Sequence, residues 1–275
     1  MAIPSLTLHD GVEIPQLGFG VFQIPPEDTQ EVVEHALDVG YRHIDTAGAY
    51  RNEKGVGAAI EASGLPREDF FVTTKLWNSQ QGFETTLEAF EASLGRLGLE
   101  YVDLYLIHWP VPTEDRFVDT WRAFERIHGE GRSRTIGVSN FRIEDLERLE
   151  AETGTRPSVN QIELHPRLQQ AELRAWHADH QVVTEAWSPL AQGELLDDET
   201  IAAIAEKHGK TPAQAILRWH LQLGNVVFPK SVTPERIREN IEIFDFELSD
   251  TEMAEFERLD RGERIGPDPG TFVSP

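Results

Sequence analysis

Arg42-His43-Ile44-Asp45-Thr46-Ala47, Phe70-Phe71-Val72-Thr73-Thr74-Lys75 and Asp103-Leu104-Tyr105-Leu106-Ile107-His108 read as three short buried strands. Each runs into a polar residue that a buried strand should avoid, and Tyr50 follows the first closely. A carboxylate, a phenol, an ammonium and an imidazole at strand ends can form a proton-transfer site if the strands are parallel neighbours. If the strands are not neighbours, these are four unrelated polar residues. The organisation of the rest of the chain decides.

Working outward, eight short apolar runs alternate with helical patterns. They begin near Leu17, His43, Phe71, Leu104, Ile136, Val159, Val182 and Val226. Between them, the stretches from Thr29 to Val39, Phe83 to Leu97, Val118 to His128, Ile143 to Glu152 and Ala171 to His180 carry apolar residues at helical spacing. Thr211-Pro212 and Thr233-Pro234 read as N-cap and first-turn pairs, and Ser249-Asp250-Thr251-Glu252 as a capping box for a helix through Leu259. A hairpin opens the chain, with Leu6-Thr7-Leu8 and Val12-Glu13-Ile14 around His9-Asp10-Gly11. Strand–helix alternation of this kind predicts a (β/α)8 TIM barrel with an N-terminal β-hairpin and a short C-terminal tail, residues 1–275 forming a single domain. The alternative is an open doubly wound sheet, which normally carries Gly-x-Gly-x-x-Gly after its first strand. Gly18-Phe19-Gly20 has Gln23 where the third glycine should stand, and Gly55-Val56-Gly57 lies within a helical pattern.

Composition narrows the function. The net charge is −23, with lysine only at 54, 75, 207, 210 and 230, and this field opposes nucleic acid and anionic membrane surfaces. The charge is spread along the helices rather than gathered in a tail, so a folded chain is expected. A high-salt cytoplasm would explain it, as would an ordinary acidic protein; melting temperature against KCl separates the two. The absence of cysteine excludes disulfides, thiolate metal sites and a cysteine nucleophile. No run of about 18 apolar residues is present, and Met1-Ala2-Ile3-Pro4-Ser5 lacks the pattern of a secretory leader. A cytoplasmic monomer with no resident metal is therefore expected.

In such barrels functional residues gather at the C-terminal ends of the strands. Asp45, Lys75 and His108 end strands two, three and four, and Tyr50 lies in the following loop. Taken singly, Asp45 reads as a strand-end cap, Lys75 as a snorkelling barrel-end residue and His108 as a structural imidazole. Together at neighbouring strand ends they read as a site. A tyrosine, whose ordinary pKa is near ~10, needs a cation to favour phenolate, which Lys75 can supply while Asp45 holds Lys75. His108 can donate to a substrate oxygen as negative charge develops. Such a group polarises a carbonyl and protonates the alkoxide, while a cofactor must bring the hydride.

His43-Ile44-Asp45-Thr46-Ala47-Gly48-Ala49-Tyr50-Arg51-Asn52-Glu53, Thr74-Lys75-Leu76-Trp77 and Leu106-Ile107-His108-Trp109-Pro110 resemble the aldo-keto reductase family, and within it the bacterial 2,5-diketo-gluconate and methylglyoxal reductase branch. The resemblance runs from the opening hairpin to Arg264-Ile265-Gly266-Pro267-Asp268-Pro269. It implies Tyr50 as general acid, with Asp45, Lys75 and His108 completing a tetrad, and a reduced nicotinamide cofactor, NADPH. The carboxamide contacts would be Ser139, Asn140 and Gln161. Trp187 would stack on the nicotinamide, although many relatives carry tyrosine there, and Ser188, Leu190 and Gln192 would approach the pyrophosphate.

Lys230-Ser231-Val232-Thr233-Pro234-Glu235-Arg236 places two cations beside a helix start, which suits a phosphate. The resemblance puts the adenosine 2′-phosphate here, at Lys230, Ser231, Val232 and Arg236, with Glu239 and Asn240 near the adenine. Phe22, Trp77 and Trp109 would line the substrate mouth. The short tail favours small aldehydes, dicarbonyls or keto-sugars over bulky substrates. His177 and His180 are expected on a solvated helix face rather than around a metal. A barrel isomerase or lyase and a non-catalytic nicotinamide-nucleotide-sensing regulatory protein of the same fold are the competing readings.

Overall fold

A computed structural model describes residues 3–273 of the chain. Met1 and Ala2, part of the start that was read for a leader, lie outside the described residues, as do Ser274 and Pro275. The strands are β1 Ser5–Thr7, β2 Glu13–Pro15, β3 Phe19–Gly20, β4 His43–Asp45, β5 Phe71–Leu76, β6 Val102–Ile107, β7 Ser133–Ser139, β8 Val159–Glu163, β9 Val183–Trp187 and β10 Val226–Val227. The helices are α1 Pro26–Val39, α2 Glu53–Ser63, α3 Phe83–Leu97, α4 Phe117–Gly129, α5 Ile143–Thr153, α6 Ala171–Asp179, α7 Glu199–Lys207, α8 Pro212–Gln222, α9 Pro234–Ile241 and α10 Asp250–Glu257.

β3 to β10 pair in parallel and in sequence order as one eight-stranded sheet. A parallel bridge between Leu17 and Val227 joins its two edges, with Gly18 N donating to Val227 O at 2.9 Å and Val227 N to Gln16 O at 3.0 Å. The barrel is thereby closed and carries no free edge. Leu17, expected to start the first barrel strand, supplies only this bridge, and the strand itself is Phe19–Gly20.

The β1–β2 hairpin covers the end of the barrel where the strands begin. Its Leu8 and Ile14 pack with Phe71, Val159 and Val226, while Asp10 bonds Thr135 and Ser158. The functional end is thus left to the loops that follow the strands.

Outside the barrel, periodicity orients the helices. In α3, Thr86, Ala89, Phe90, Ser93, Leu94 and Leu97 are buried at three- and four-residue spacing, and Gly98 closes the helix at φ 67°. α2 lies so close to α3 that a Cβ on Gly57 would stand 1.9 Å from Leu97 O. Only glycine fits there. The fully buried Trp121 and Trp219 anchor the outer layer, each large side chain contributing roughly 1.5–3 kcal/mol of burial.

Several expectations change in detail. The Thr211 and Ser249 capping boxes form, but the last helix stops at Glu257 rather than Leu259. Thr233 precedes α9 without capping it through its hydroxyl; instead Ser231 Oγ accepts from Thr233 N at 3.1 Å. His177 is not on a solvated face. It is buried, its Nε2 3.0 Å from Asn160 Nδ2 and its Nδ1 2.9 Å from Thr184 Oγ1, while the half-buried His180 stacks on Trp176.

Candidate active site

β4, β5 and β6 are adjacent, so Asp45, Lys75 and His108 meet at one end of the barrel. Tyr50 joins them because the chain after β4 winds into a tight turn, Gly48–Tyr50, closed by Arg51 in the left-handed region at φ 59°. Two buried side chains brace that turn. Asn52 Nδ2 donates to Val21 O at 2.8 Å while its Oδ1 accepts from Thr46 Oγ1 at 2.9 Å. Glu53 accepts from Thr74 Oγ1 and Arg96 Nε, both at 2.6 Å.

Lys75 Nζ donates to Asp45 Oδ1 at 2.7 Å, to Thr46 O at 3.0 Å and to Tyr50 OH at 3.4 Å. The Tyr50 ring lies edge-on to His108 at 5.7 Å. The lysine side chain is wholly buried. Burial acts to lower its pKa, but Asp45 and then Tyr50 outweigh this and hold the ammonium above its ordinary value. For Tyr50, burial raises the pKa, Lys75 pulls it down and Asp45 adds to the rise, leaving it above normal. Lys75 thus favours phenolate, as expected, but does not set the net direction. Dehydration of the phenol prevails over the lysine, so the hydroxyl holds its proton more tightly than an ordinary tyrosine. His108 is held well below its usual range, first by burial and then by Lys75, and is therefore a neutral imidazole.

The residues expected around a carboxamide form one network. Ser139 Oγ donates to Gln161 O at 2.8 Å, and Asn140 Nδ2 donates to His108 O and Ser139 Oγ, both at 3.0 Å. Trp187 Nε1 donates to Asn140 Oδ1 at 2.8 Å. Gln161 Nε2 donates to Asp45 Oδ2 at 2.9 Å and to Glu185 Oε2 at 2.8 Å, linking this group to the tetrad. Asn140 holds φ 64°, a strained value for a side-chain-bearing residue that aims its amide into this network.

Beyond β9, Ser188 (φ 49°) and the exposed Gln192 (φ 54°) kink the loop, with Leu190 half-buried between them. Lys230, Val232 and Arg236 form a separate, exposed group after β10, beside the buried Ser231 and Asn240. Glu239 accepts from Thr211 Oγ1 at 2.5 Å, so its carboxylate is already engaged.

Phe22, Trp77 and Trp109 lie close to the strand-end cluster. Phe22 lies 5.0 Å from the Tyr50 ring and Trp77 5.2 Å from His108, while Trp109 is 6.4 Å from Trp187. Sequence reading missed Phe272, whose ring lies 4.4 Å from Trp109. It also missed Glu163, which accepts from Ile265 N at 2.5 Å and Gly266 N at 3.1 Å and so straps the C-terminal segment over the site. Gly266 is required beneath that strap, because a Cβ there would stand 2.3 Å from the Trp187 ring. Glu185 was missed as well; a lone acid inside Val-Val-Thr-Glu-Ala-Trp was its only signal.

The sequence profile described as Aldo/keto reductase family matches residues 16–261. An aldo-keto reductase of Mycolicibacterium smegmatis is 60% identical over 269 residues, covering 98% of each chain. The methylglyoxal reductase DkgA of Yersinia pestis is 52% identical over 273 residues, again 98% of each. The crystal structure of a Gox0644 mutant in complex with NADPH superposes with a TM-score of 0.96 at 48% identity, covering 100% of both chains. With the closed parallel barrel and its strand-end cluster, these likenesses place the chain: it belongs to the aldo/keto reductase family.

Proposed function

We propose that this protein is an NADPH-dependent carbonyl reductase that converts small aldehydes, dicarbonyls or keto-sugars to alcohols, residues 1–275 acting as one barrel domain. The observation that carries this reading is the buried contact of Lys75 with both Asp45 and Tyr50, next to a neutral His108. Tyr50 donates its hydroxyl proton to the carbonyl oxygen. Lys75 then faces the phenolate left behind, and its charge offsets the cost of forming that anion in a dehydrated pocket. Asp45 keeps the ammonium in place. His108, as a neutral imidazole, can donate a hydrogen bond to the same oxygen as charge grows on it. Bound NADPH supplies the hydride that the side chains cannot.

The residues fit such a cofactor. The Gln161 Oε1 atom accepts no hydrogen bond among the described residues and is free for a carboxamide N–H. Trp187 is half-buried with its indole nitrogen tied down, which fixes a flat ring beside Asn140. Lys230 and Arg236 are exposed and take part in no ion pair among the described residues, despite the net charge of −23. Two uncompensated cations at the start of α9 support a phosphate site, and so NADPH over NADH.

The Yersinia pestis relative is named a methylglyoxal reductase, which supports dicarbonyls among the candidate substrates. Loss of NADPH absorbance across a panel of aldehydes, dicarbonyls and keto-sugars tests the reading. Turnover of at least one class is expected. NADPH binding without turnover on the whole panel would favour a nucleotide sensor instead.

A further inference from the structure

Glu185 is fully buried within β9, between Gln161 on β8 and Val226 on β10 in the strand register. Gln161 Nε2 reaches two carboxyl groups at once, Glu185 Oε2 at 2.8 Å and Asp45 Oδ2 at 2.9 Å. An amide nitrogen carries two hydrogens, and this arrangement commits both. Turning the amide over would set its oxygen against the Asp45 carboxylate, acceptor against acceptor. With Asp45 alone, one hydrogen would be satisfied and the amide plane could tilt. The second carboxyl removes that freedom.

We propose that Glu185 is a positioning residue that, with Asp45, locks the Gln161 amide so that its carbonyl oxygen is presented to the carboxamide N–H of the nicotinamide. This role rests on the NADPH reading above. It adds to the site a side chain within β9, linked through Gln161 on β8 to Asp45 on β4.

The charge balance fits the role. Burial first, and Asp45 second, push the Glu185 carboxyl up to about 8, against the Gln161 hydrogen bond and the Lys75 charge. Its register partners on the two neighbouring strands, Gln161 and Val226, bring no other charge. Near neutral pH the group is thus one anion, Asp45, against one cation, Lys75, with Glu185 as an acid that accepts from the amide. Once Glu185 ionises, two anions repel across a single amide and the lock loosens.

Three proteins test this: the wild type, E185Q and E185V. Without cofactor, the folded carboxyl ionises near pH 8 and the unfolded one near its ordinary 4.5, so the wild type loses stability as pH rises between those values. A glutamine does not titrate, so the melting temperature of E185Q should gain on the wild type steadily from pH 5 to pH 8. A constant gap would overturn the neutral acid. For NADPH, followed by tryptophan fluorescence at pH 7, E185Q should bind within about twofold of the wild type. E185V should bind roughly tenfold more weakly, the usual loss for one buried hydrogen-bond partner.

E185V binding as tightly as the wild type would overturn the positioning role, and so would E185Q binding as weakly as E185V. If E185V does not fold, the Kd of the wild type should still rise above pH 8 while that of E185Q stays level. Parallel curves would overturn the role. A wild type that binds no NADPH defeats the cofactor reading itself, which the melting curves of the apoprotein distinguish from a failure at Glu185.

Discussion

At the scale of single residues, the site is governed by competition between burial and charge. Lys75 keeps its proton because Asp45 lies 2.7 Å away, and Tyr50 keeps its proton because dehydration outweighs the lysine 3.4 Å from it. The two cations after β10 lie in the opposite setting, exposed and without ion-pair partners among the described residues. Arg236 can offer a planar pair of N–H groups to a phosphate, so Arg236→Ala should raise the KM for NADPH by about tenfold or more and leave that for NADH nearly unchanged. Steady-state kinetics with both cofactors checks this; equal effects would place the 2′-phosphate elsewhere.

Much of the tetrad was legible because a polar residue at the end of an apolar run is conspicuous, and three of them stood on consecutive strands. Glu185 was not legible. Strand periodicity shows which side chains share a face, but not that Gln161 reaches two acids from different strands. The direction of the Tyr50 shift was also hidden, since sequence names its charged neighbours but not the water it loses.

At the scale of elements, strand order was readable and rotation was not. The alternation of runs predicts the parallel order seen from β3 to β10. Yet α6 turns His177 inward to Asn160 and Thr184, because two histidines three residues apart do not say which face a helix buries. The C-terminal segment was the least legible, having no periodicity of its own. Its place is set by Glu163 at the end of β8 and by the Phe272 ring on Trp109. If Trp109 lines the substrate mouth as proposed, Phe272, packed on it, falls on that side rather than in the cofactor groove. Phe272→Ala should raise the KM for a carbonyl substrate by roughly tenfold while the Kd for NADPH stays at the wild-type value. A change confined to NADPH binding would contradict this placement.

At the scale of the whole molecule, the barrel holds several titratable groups neutral away from water. Burial is the leading cause that drops His43, His177 and His220 to about 3, from different layers of the fold. Below about pH 6.5 the unfolded chain takes up protons at these sites and the folded chain does not. Stability present at neutral pH is therefore lost as pH falls from about 6.5 toward 3, by up to ~1.4 kcal/mol per pH unit for each histidine. Denaturant midpoints at pH 7, 6, 5 and 4 should decline with increasing steepness, and a flat profile would mean these imidazoles are not buried as described.

The same closed barrel brings Tyr50, Lys75, Asp45 and His108 to one mouth, where on the proposed mechanism the proton leaves from Tyr50. Single-turnover reduction of a dicarbonyl by NADPH in Tyr50→Phe isolates that step. The rate should fall by about a thousandfold or more with the Kd for NADPH kept within about twofold. Turnover within tenfold of the wild type would contradict that mechanism.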